Sequence, residues 1–161
     1  MLLEVKNLNK KFGLVTAANN INFKMNKNEI IGVIGANGAG KTTFCNIITG
    51  YLKADSGVIL YEGKNITKFN VQEIKNIGIH RSFQIPQVFE NLGVLENIII
   101  TELVAKNKQN SIFEDAYSKK NYQNANKLLE KFSFDINKFK DKAVKELPQG
   151  ARKVLDILIA I

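Results

Sequence analysis

The sequence predicts an α/β domain in which strands and a glycine-rich turn come first and helices follow. Residues 2–8 and 17–25 alternate apolar and polar side chains, which is the pattern of strands with one buried face. Residues 30–34 form a continuous apolar run, which is typical of a central strand buried on both faces. From Leu95 to about Phe134 the apolar residues recur at helical spacing, and we expect a small helical insertion there.

Local signals predict the elements between these segments. A helix is expected over 41–49, because Gly50 suits the position just past a helix end. Asn70 and Glu73 have the spacing of a capping box, which predicts a short helix over 71–76. Further strands are expected over 58–61 and 78–83, and further helices over 95–106 and 117–132. A last helix, after a break at 147–150, is expected to have an apolar face of Val154, Leu155, Ile157, Leu158 and Ile161.

The composition excludes several classes of protein. The chain has 161 residues, of which 45% are apolar, so a single folded domain is expected rather than disorder. A single cysteine, Cys45, excludes an internal disulfide and a multi-cysteine zinc site, and we expect it to be a small buried residue. There is no run of 18 apolar residues, and charges within the first six residues argue against a secretory signal.

The net charge of +8 comes almost entirely from scattered lysines, since Arg81 and Arg152 are the only arginines. Sequence-specific DNA binding relies on arginine for bidentate contacts to bases. The charge therefore favours a solvated lysine-rich surface, although it leaves open a phosphorylated ligand or an anionic partner.

The most informative segment is Gly35-Ala36-Asn37-Gly38-Ala39-Gly40-Lys41-Thr42, which fits the pattern G-x-x-x-x-G-K-[ST] between an expected strand and an expected helix. Glycines let the backbone direct successive N–H groups at a phosphate, and the helix N-terminus adds roughly half a positive charge. Lys41 is expected to reach the β- and γ-phosphates, Thr42 to bind Mg²⁺, and Thr43 to contact the α-phosphate. The residues expected to bind the phosphates and Mg²⁺ of a nucleoside triphosphate are Gly35, Asn37, Gly38, Ala39, Gly40, Lys41, Thr42 and Thr43.

Three further segments accompany this loop. Lys11-Phe12-Gly13 precedes it, Gly78 to Asn97 includes Arg81-Ser82-Phe83-Gln84, and Leu147-Pro148-Gln149-Gly150-Ala151 precedes the last expected helix. Together with the phosphate loop they resemble the ATP-binding cassette (ABC) family of transporter ATPases, over essentially the whole chain. The resemblance implies that the nucleotide is ATP, bound with Mg²⁺.

The family resemblance also assigns roles to single residues. Phe12 would stack on adenine, which contributes on the order of 1 kcal/mol, and Val15 and Ala17 would flank the base. Gln84 matches the glutamine of the family's Q-loop, so it would lie beside Mg²⁺ and the attacking water and sense the γ-phosphate. Lys41 and Gln84 are thus the expected catalytic residues, and Thr42 and Gln84 the expected metal ligands. The segment after Gln84 would receive the coupling helix of a transmembrane permease subunit.

The segment Leu147–Ala151 stands where the family has its signature LSGGQ. Leu147 and Gly150 match, whereas Pro148 supplies neither the hydroxyl nor an N–H. Leu147, Pro148, Gln149 and Gly150 are expected to face ATP bound by the opposite subunit of a homo- or heterodimer. The contact would come from backbone donors at Gly150 and at the N-terminus of the following helix, and we expect it to be weaker than with LSGGQ.

The resemblance implies a P-loop NTPase fold of the ABC type, with an N-terminal antiparallel β part, a partial RecA-like core and a helical subdomain. The expected bounds are 1–94 for the β and RecA-like part, 95–146 for the helical subdomain and 147–161 for the signature loop and helix. The family's Walker B strand ending in Asp-Glu and its switch histidine do not occur in these 161 residues. We therefore expect a C-terminally truncated cassette that binds nucleotide but does not hydrolyse it normally.

Residues 43–50 and the helical insertion are most similar to the ATP-binding subunit of branched-chain amino-acid importers, which would work at the cytoplasmic face of the cell membrane. Two alternatives remain open. A cassette protein acting on nucleic acid or ribosomes would show salt-dependent RNA binding. A non-catalytic nucleotide-binding fragment would bind ATP tightly without turnover.

Overall fold

The computed structural model describes residues 1–83, 85–105, 118–131 and 135–160. By the contacts between their residues, these ranges form two compact units, Met1–His80 and Arg81–Ile161. The subdomain bounds predicted at 94/95 and 146/147 remain predictions.

The first unit is built on a four-stranded sheet with the order β2-β1-β3-β4, in which neighbouring strands are antiparallel. This matches the antiparallel β part expected at the N-terminus. The strands are β1 (Leu3–Phe12), β2 (Val15–Met25), β3 (Ser56–Tyr61) and β4 (Lys64–Asn65).

Asparagines stabilise the irregular pairing of β1 with β2. The register shifts between Val5 and Leu8 and again before Lys10, and Asn7 and Asn20 adopt positive φ of 49° and 48°. The Asn7 N–H donates to Asn22 Oδ1 at 3.0 Å, and the Asn20 N–H donates to Asn9 Oδ1 at 2.8 Å. Side-chain amides thus satisfy N–H groups that the irregular ladder would otherwise leave without acceptors.

The helices of this unit begin and end at the predicted signals. Helix α1 spans Lys41–Ile48, and Gly50 beyond its end has a φ of 77°. Helix α2 spans Val71–Asn76 and has the complete capping box: Asn70 Oδ1 accepts from the Glu73 N–H at 3.0 Å, and Glu73 Oε2 accepts from the Asn70 N–H at 2.8 Å. The core of the unit contains Leu3, Val5, Leu8, Phe44, Ile47, Ile59, Ile66 and Ile74.

Two predicted strands are absent from the described residues. Residues 30–34 and 78–83 belong to no helix or strand, and Ile30 and Ile34 are almost completely exposed. A strand exists only when a neighbour completes its hydrogen-bond ladder, and β1 to β4 pair among themselves. The apolar run 30–34 therefore leads into the glycine-rich loop without forming a strand.

The second unit is helical. Helix α3 spans Val94–Ala105, α4 spans Lys119–Lys131 and α5 spans Gln149–Ala160. The predicted helix bounds at 106, 117 and 132 lie outside the described residues. Short 3₁₀ turns cover Asp135–Phe139 and Val144–Glu146. The buried apolar core of the unit consists of Val94, Leu95, Ile98, Ile99, Leu103, Ala125, Leu129, Ile136, Val144, Leu147, Leu155 and Leu158.

Helix α5 differs from its predicted apolar face at two positions. Leu155 and Leu158 are buried as expected, but Ile157 is 41% exposed because it points away from the core, and Asp156 is buried instead. Ile161 lies outside the described residues. Across the described ranges, none of the helices is long and apolar enough to span a membrane.

Candidate phosphate-binding site

The glycine-rich loop ends in a helix N-terminus that has no competing acid. Gly38 and Gly40 have φ of 82° and 84°, a backbone conformation that residues with a Cβ rarely adopt. Gly40 is the N-cap of α1; no side chain bonds to the cap position, and the first turn contains no acidic residue. The first amides of α1 therefore remain available to an anion, which the helix dipole also favours.

The Lys41 ammonium lies against the loop backbone. Lys41 Nζ donates to the carbonyl oxygens of Gly35 and Ala36 at 2.6 and 2.7 Å. An ammonium has three donors and binds phosphate oxygens as a point charge. Phosphate oxygens can therefore replace these carbonyl oxygens as acceptors of the Lys41 ammonium.

Strand β2 packs directly against the loop. A Cβ added at Gly40 would lie 2.1 Å from the carbonyl oxygen of Ala17. The Phe23 ring of the same strand meets the Phe44 ring of α1 edge to face, with 5.3 Å between the centroids. Ala17, predicted to flank the base, is thus beside the phosphate loop.

The predicted adenine-stacking residue lies at the turn end of the β1–β2 hairpin. Phe12 pairs with Val15 across a turn at Gly13, whose φ is 57°. Phe12 is 48% exposed and Val15 is 66% exposed. Lys10 Nζ lies 5.5 Å from the centre of the Phe12 ring, so a cation already uses one face of the ring.

Sequence reasoning missed Asp55, which anchors this hairpin and was assigned only to a turn. Asp55 Oδ1 accepts from Lys10 Nζ at 2.6 Å, and Oδ2 accepts from the Lys11 N–H at 2.7 Å. These two hydrogen bonds hold the pKa of Asp55 below its ordinary value, and the bond from Lys10 has the larger effect. The sequence around an acid in a turn does not indicate which distant residue pairs with it, although the sequence does show the basic pair Lys10-Lys11.

The threonines after Lys41 supply the donor chemistry that Mg²⁺ requires. Thr42 is exposed in the first turn of α1, and Thr43 is half-buried. Cys45, which was predicted to be buried, is exposed. The helix turns Cys45 away from the core, which Phe44 and Ile47 enter instead. A hydroxyl oxygen such as Thr42 Oγ1 fits a small hard cation that takes its other ligands from phosphate and water. Among the described residues, no group of three His, Cys, Asp or Glu side chains could hold a metal without such help.

The other predicted site residues belong to the second unit. Gln84 lies outside the described residues. Leu147 is buried, while Pro148, Gln149 and Gly150 are exposed at the start of α5. The predicted break is therefore short: Gln149 and Gly150 are already helical, because the Pro148 carbonyl accepts the Arg152 N–H at 3.1 Å.

Comparison with known proteins decides between the families that share a phosphate loop. The sequence profile of the ABC transporter family matches residues 18–161. The chain belongs to the ABC transporter family. The match covers the phosphate loop, the segment around residue 84 and the signature position together.

Two relatives align with almost the whole of this chain. The probable branched-chain amino acid transport ATP-binding protein LivG of Methanocaldococcus jannaschii is 34% identical over 158 residues, which are 97% of this chain and 62% of that protein. The xylose/arabinose import ATP-binding protein XylG of Sulfolobus acidocaldarius is 31% identical over 160 residues, 99% of this chain and 61% of that protein. The chain thus spans about three fifths of the length of these relatives.

A solved structure confirms the predicted fold class. The crystal structure of the ADP conformation of an ATP-binding cassette from an ABC transporter superimposes with a TM-score of 0.81 at 34% identity. The match covers 99% of this chain and 63% of that one. The cassette is therefore a mixed α/β domain of the P-loop NTPase class with an antiparallel sheet.

The exposed Phe12 ring permits a direct test of the predicted base site. Phe12→Ala should weaken MgATP binding by about two- to twelvefold, because aromatic stacking contributes about 0.5–1.5 kcal/mol. Leu14→Ala is the matched control, since Leu14 is a fully exposed apolar residue in the turn of the same hairpin. Equal affinities of the two variants, measured by calorimetric titration, would exclude Phe12 from the base site.

Proposed function

We propose that this chain is the nucleotide-binding part of the ATP-binding subunit of an ABC importer. The observation that carries the proposal is the phosphate loop. Two left-handed glycines lead into an uncapped helix N-terminus, and the Lys41 ammonium lies over the loop carbonyls. Backbone amides, a helix dipole and one ammonium form a site for a polyanion.

In this proposal the nucleotide lies between the β1–β2 hairpin and α1. Phe12 stacks on adenine, with Val15 and Ala17 at its edge. The phosphates follow the loop, where Gly35, Asn37, Gly38, Ala39 and Gly40 contribute backbone contacts and Lys41 contributes charge. The packing of Gly40 against the Ala17 carbonyl supports this arrangement, because it joins the proposed base site to the proposed phosphate site.

Thr42 is the proposed protein ligand for Mg²⁺, Thr43 contacts the α-phosphate, and Gln84 completes the metal and water site. When bound, Mg²⁺ supplies charge neutralisation of the phosphate oxygens. The chain's own part is to orient the triphosphate: the loop amides fix it, and Lys41 withdraws charge from the β- and γ-phosphates. Lys41 and Gln84 are the proposed catalytic residues.

The start of α5 is the proposed contact with ATP held by a second nucleotide-binding subunit. Leu147 is buried and fixes the segment, and Arg152 Nε donates to its carbonyl at 3.0 Å. Pro148, Gln149 and Gly150 are exposed, and the first turn of α5 contains no acid. A helix N-terminus presented in this way favours a phosphate, even without the signature serine hydroxyl.

The proposed transported solute is a branched-chain amino acid or a related compound. The proposed location of the subunit is the cytoplasmic face of the membrane. The support is the similarity to LivG, whereas the similarity to XylG shows that sugar importers remain close relatives. The segment after residue 84 exposes two large apolar side chains, Ile85 at 75% and Phe89 at 53%. Exposed apolar residues of this kind favour a protein contact, for which we propose the transmembrane permease subunits.

Calorimetric titration and phosphate release test the proposal on the 161-residue chain. We expect MgATP to bind at one site, and we expect no steady phosphate release from these residues alone. Absence of MgATP binding would contradict the proposed function. ATP hydrolysis at the rate of a cassette that contains the Walker B residues would contradict the proposal that this chain alone does not hydrolyse ATP normally.

A fluorescence titration with single-stranded RNA separates the proposal from the nucleic-acid alternative. RNA affinity that falls steeply with salt would favour that alternative. The transport proposal predicts no such binding under conditions in which MgATP binds.

A further inference from the structure

A buried carboxylate on α5 is paired with one lysine and accepts a hydrogen bond from one backbone amide. Asp156 is 3% exposed, and its Oδ2 lies 3.0 Å from Lys153 Nζ. Its Oδ1 accepts the Gln87 N–H at 2.7 Å. A buried charge is tolerated only when it is paired and hydrogen-bonded, so Asp156, Lys153 and the Gln87 amide depend on one another.

Lys153 makes a second contact, by donating from Nζ to the carbonyl of Phe83. The two side chains lie three residues apart on α5 and therefore on the same helix face. Lys153 donates to the Phe83 carbonyl, and Asp156 accepts the Gln87 N–H. The pair thus holds the chain on both sides of sequence position 84.

Phe89 and Glu90, farther along the chain, also bond to other parts of the second unit. Asn97, which is completely buried, accepts the Phe89 N–H at 2.8 Å and donates to the Phe89 carbonyl at 3.1 Å. The Lys145 N–H donates to the Glu90 carbonyl at 2.8 Å, and Arg152 of α5 lies 3.4 Å from the Glu90 carboxylate.

We propose that Lys153 and Asp156 are positioning residues that make Phe83, residues 85–89 and helix α5 move as one body. The inference rests on the proposed function, in which the segment receives the permease and the start of α5 contacts ATP. Arg152 completes the connection, because its guanidinium binds the carbonyls of Leu147 and Lys145 at 3.0 and 2.5 Å. A displacement of the segment by the permease then displaces the signature segment with it.

Amide hydrogen exchange of the 161-residue chain tests the local contact. Asp156→Ala should raise the exchange rate of the Gln87 amide at least about tenfold, because a hydrogen bond to a charged group is lost. Amides of the first unit should exchange at the wild-type rate. An unchanged rate at Gln87 would overturn the proposal.

Transport by the subunit assembled with its permease in proteoliposomes tests the coupling. Lys153→Met should lower the solute taken up per ATP hydrolysed by at least about threefold, while Lys153→Arg restores it and the affinity for MgATP stays unchanged. Lys145→Met is the matched control, since Lys145 is an exposed lysine of the same unit. A pair that only stabilised the fold would lower hydrolysis and uptake together and leave their ratio constant, and that result would overturn the proposal.

The two proposals fail separately. If the wild-type assembly shows no ATP-driven uptake, the proposed function is wrong, whereas the exchange rate at Gln87 still judges the contact. If the wild type transports and Lys153→Met keeps the wild-type ratio, the proposed function stands and the positioning role is wrong.

Discussion

Gly40→Ala should abolish MgATP binding at millimolar nucleotide and lower the free energy of unfolding by about 2–5 kcal/mol. Two effects add at this position. Gly40 has a φ of 84°, which costs an L-residue about 1–2 kcal/mol. The new Cβ would also lie 2.1 Å from the Ala17 carbonyl oxygen, so the loop or β2 must shift. Either shift moves the amides of α1 away from the phosphate.

Gly63→Ala separates these two effects. Gly63 has nearly the same φ, 81°, but a Cβ there meets nothing within 4 Å. It should therefore lower the free energy of unfolding by about 1–2 kcal/mol only and keep the wild-type affinity for MgATP. Thermal unfolding and calorimetric titration of both variants make the comparison. Wild-type binding by Gly40→Ala would show that the close approach of β2 to the loop is not needed.

Lys41→Ala should weaken MgATP binding by at least about 100-fold. The ammonium makes two hydrogen bonds to the carbonyls of Gly35 and Ala36, and in the proposed complex it makes them to phosphate oxygens. Hydrogen bonds to charged groups contribute about 1.5–3 kcal/mol each, so losing them accounts for this factor. The fold should be nearly unaffected, because water can solvate the carbonyls of Gly35 and Ala36.

Lys53→Ala is the matched control for this variant. Lys53 Nζ also donates to two carbonyls, those of Lys68 and Phe69, at 2.9 and 2.7 Å. Its loss removes the same charge and the same kind of contact without touching the loop. We expect wild-type affinity for MgATP by titration. Equal weakening in both variants would mean that lysine charge in general, rather than Lys41, attracts the nucleotide.

Features that depend on neighbours in sequence were predictable. The capping box of Asn70 and Glu73 needs only a three-residue spacing, and it formed as predicted. The phosphate loop followed by α1 is equally local, since its glycines and the helix start lie within a few residues. The helix end at Gly50 followed from the same kind of signal.

Features that depend on residues distant in the sequence were not predictable. The run 30–34 has the composition of a buried strand, but pairing is not encoded in the run itself, and Ile30 is exposed. Asp55 gave no sign that Lys10 would reach it from β1. For Asp156, a charge within the apolar run 154–161, three residues after Lys153, was a signal that could have indicated a buried ion pair.

The most direct test of the central claim is an amide NMR titration of the 161-residue chain with MgATP. The account predicts that the largest shift changes fall on the amides of residues 35–43, where the polyanion binds, with further changes at residues 12–17 of the hairpin. AMP should reproduce the hairpin changes but not the full loop changes, because it lacks the β- and γ-phosphates. Shifts concentrated elsewhere, or a loop that does not respond to MgATP, would contradict the account.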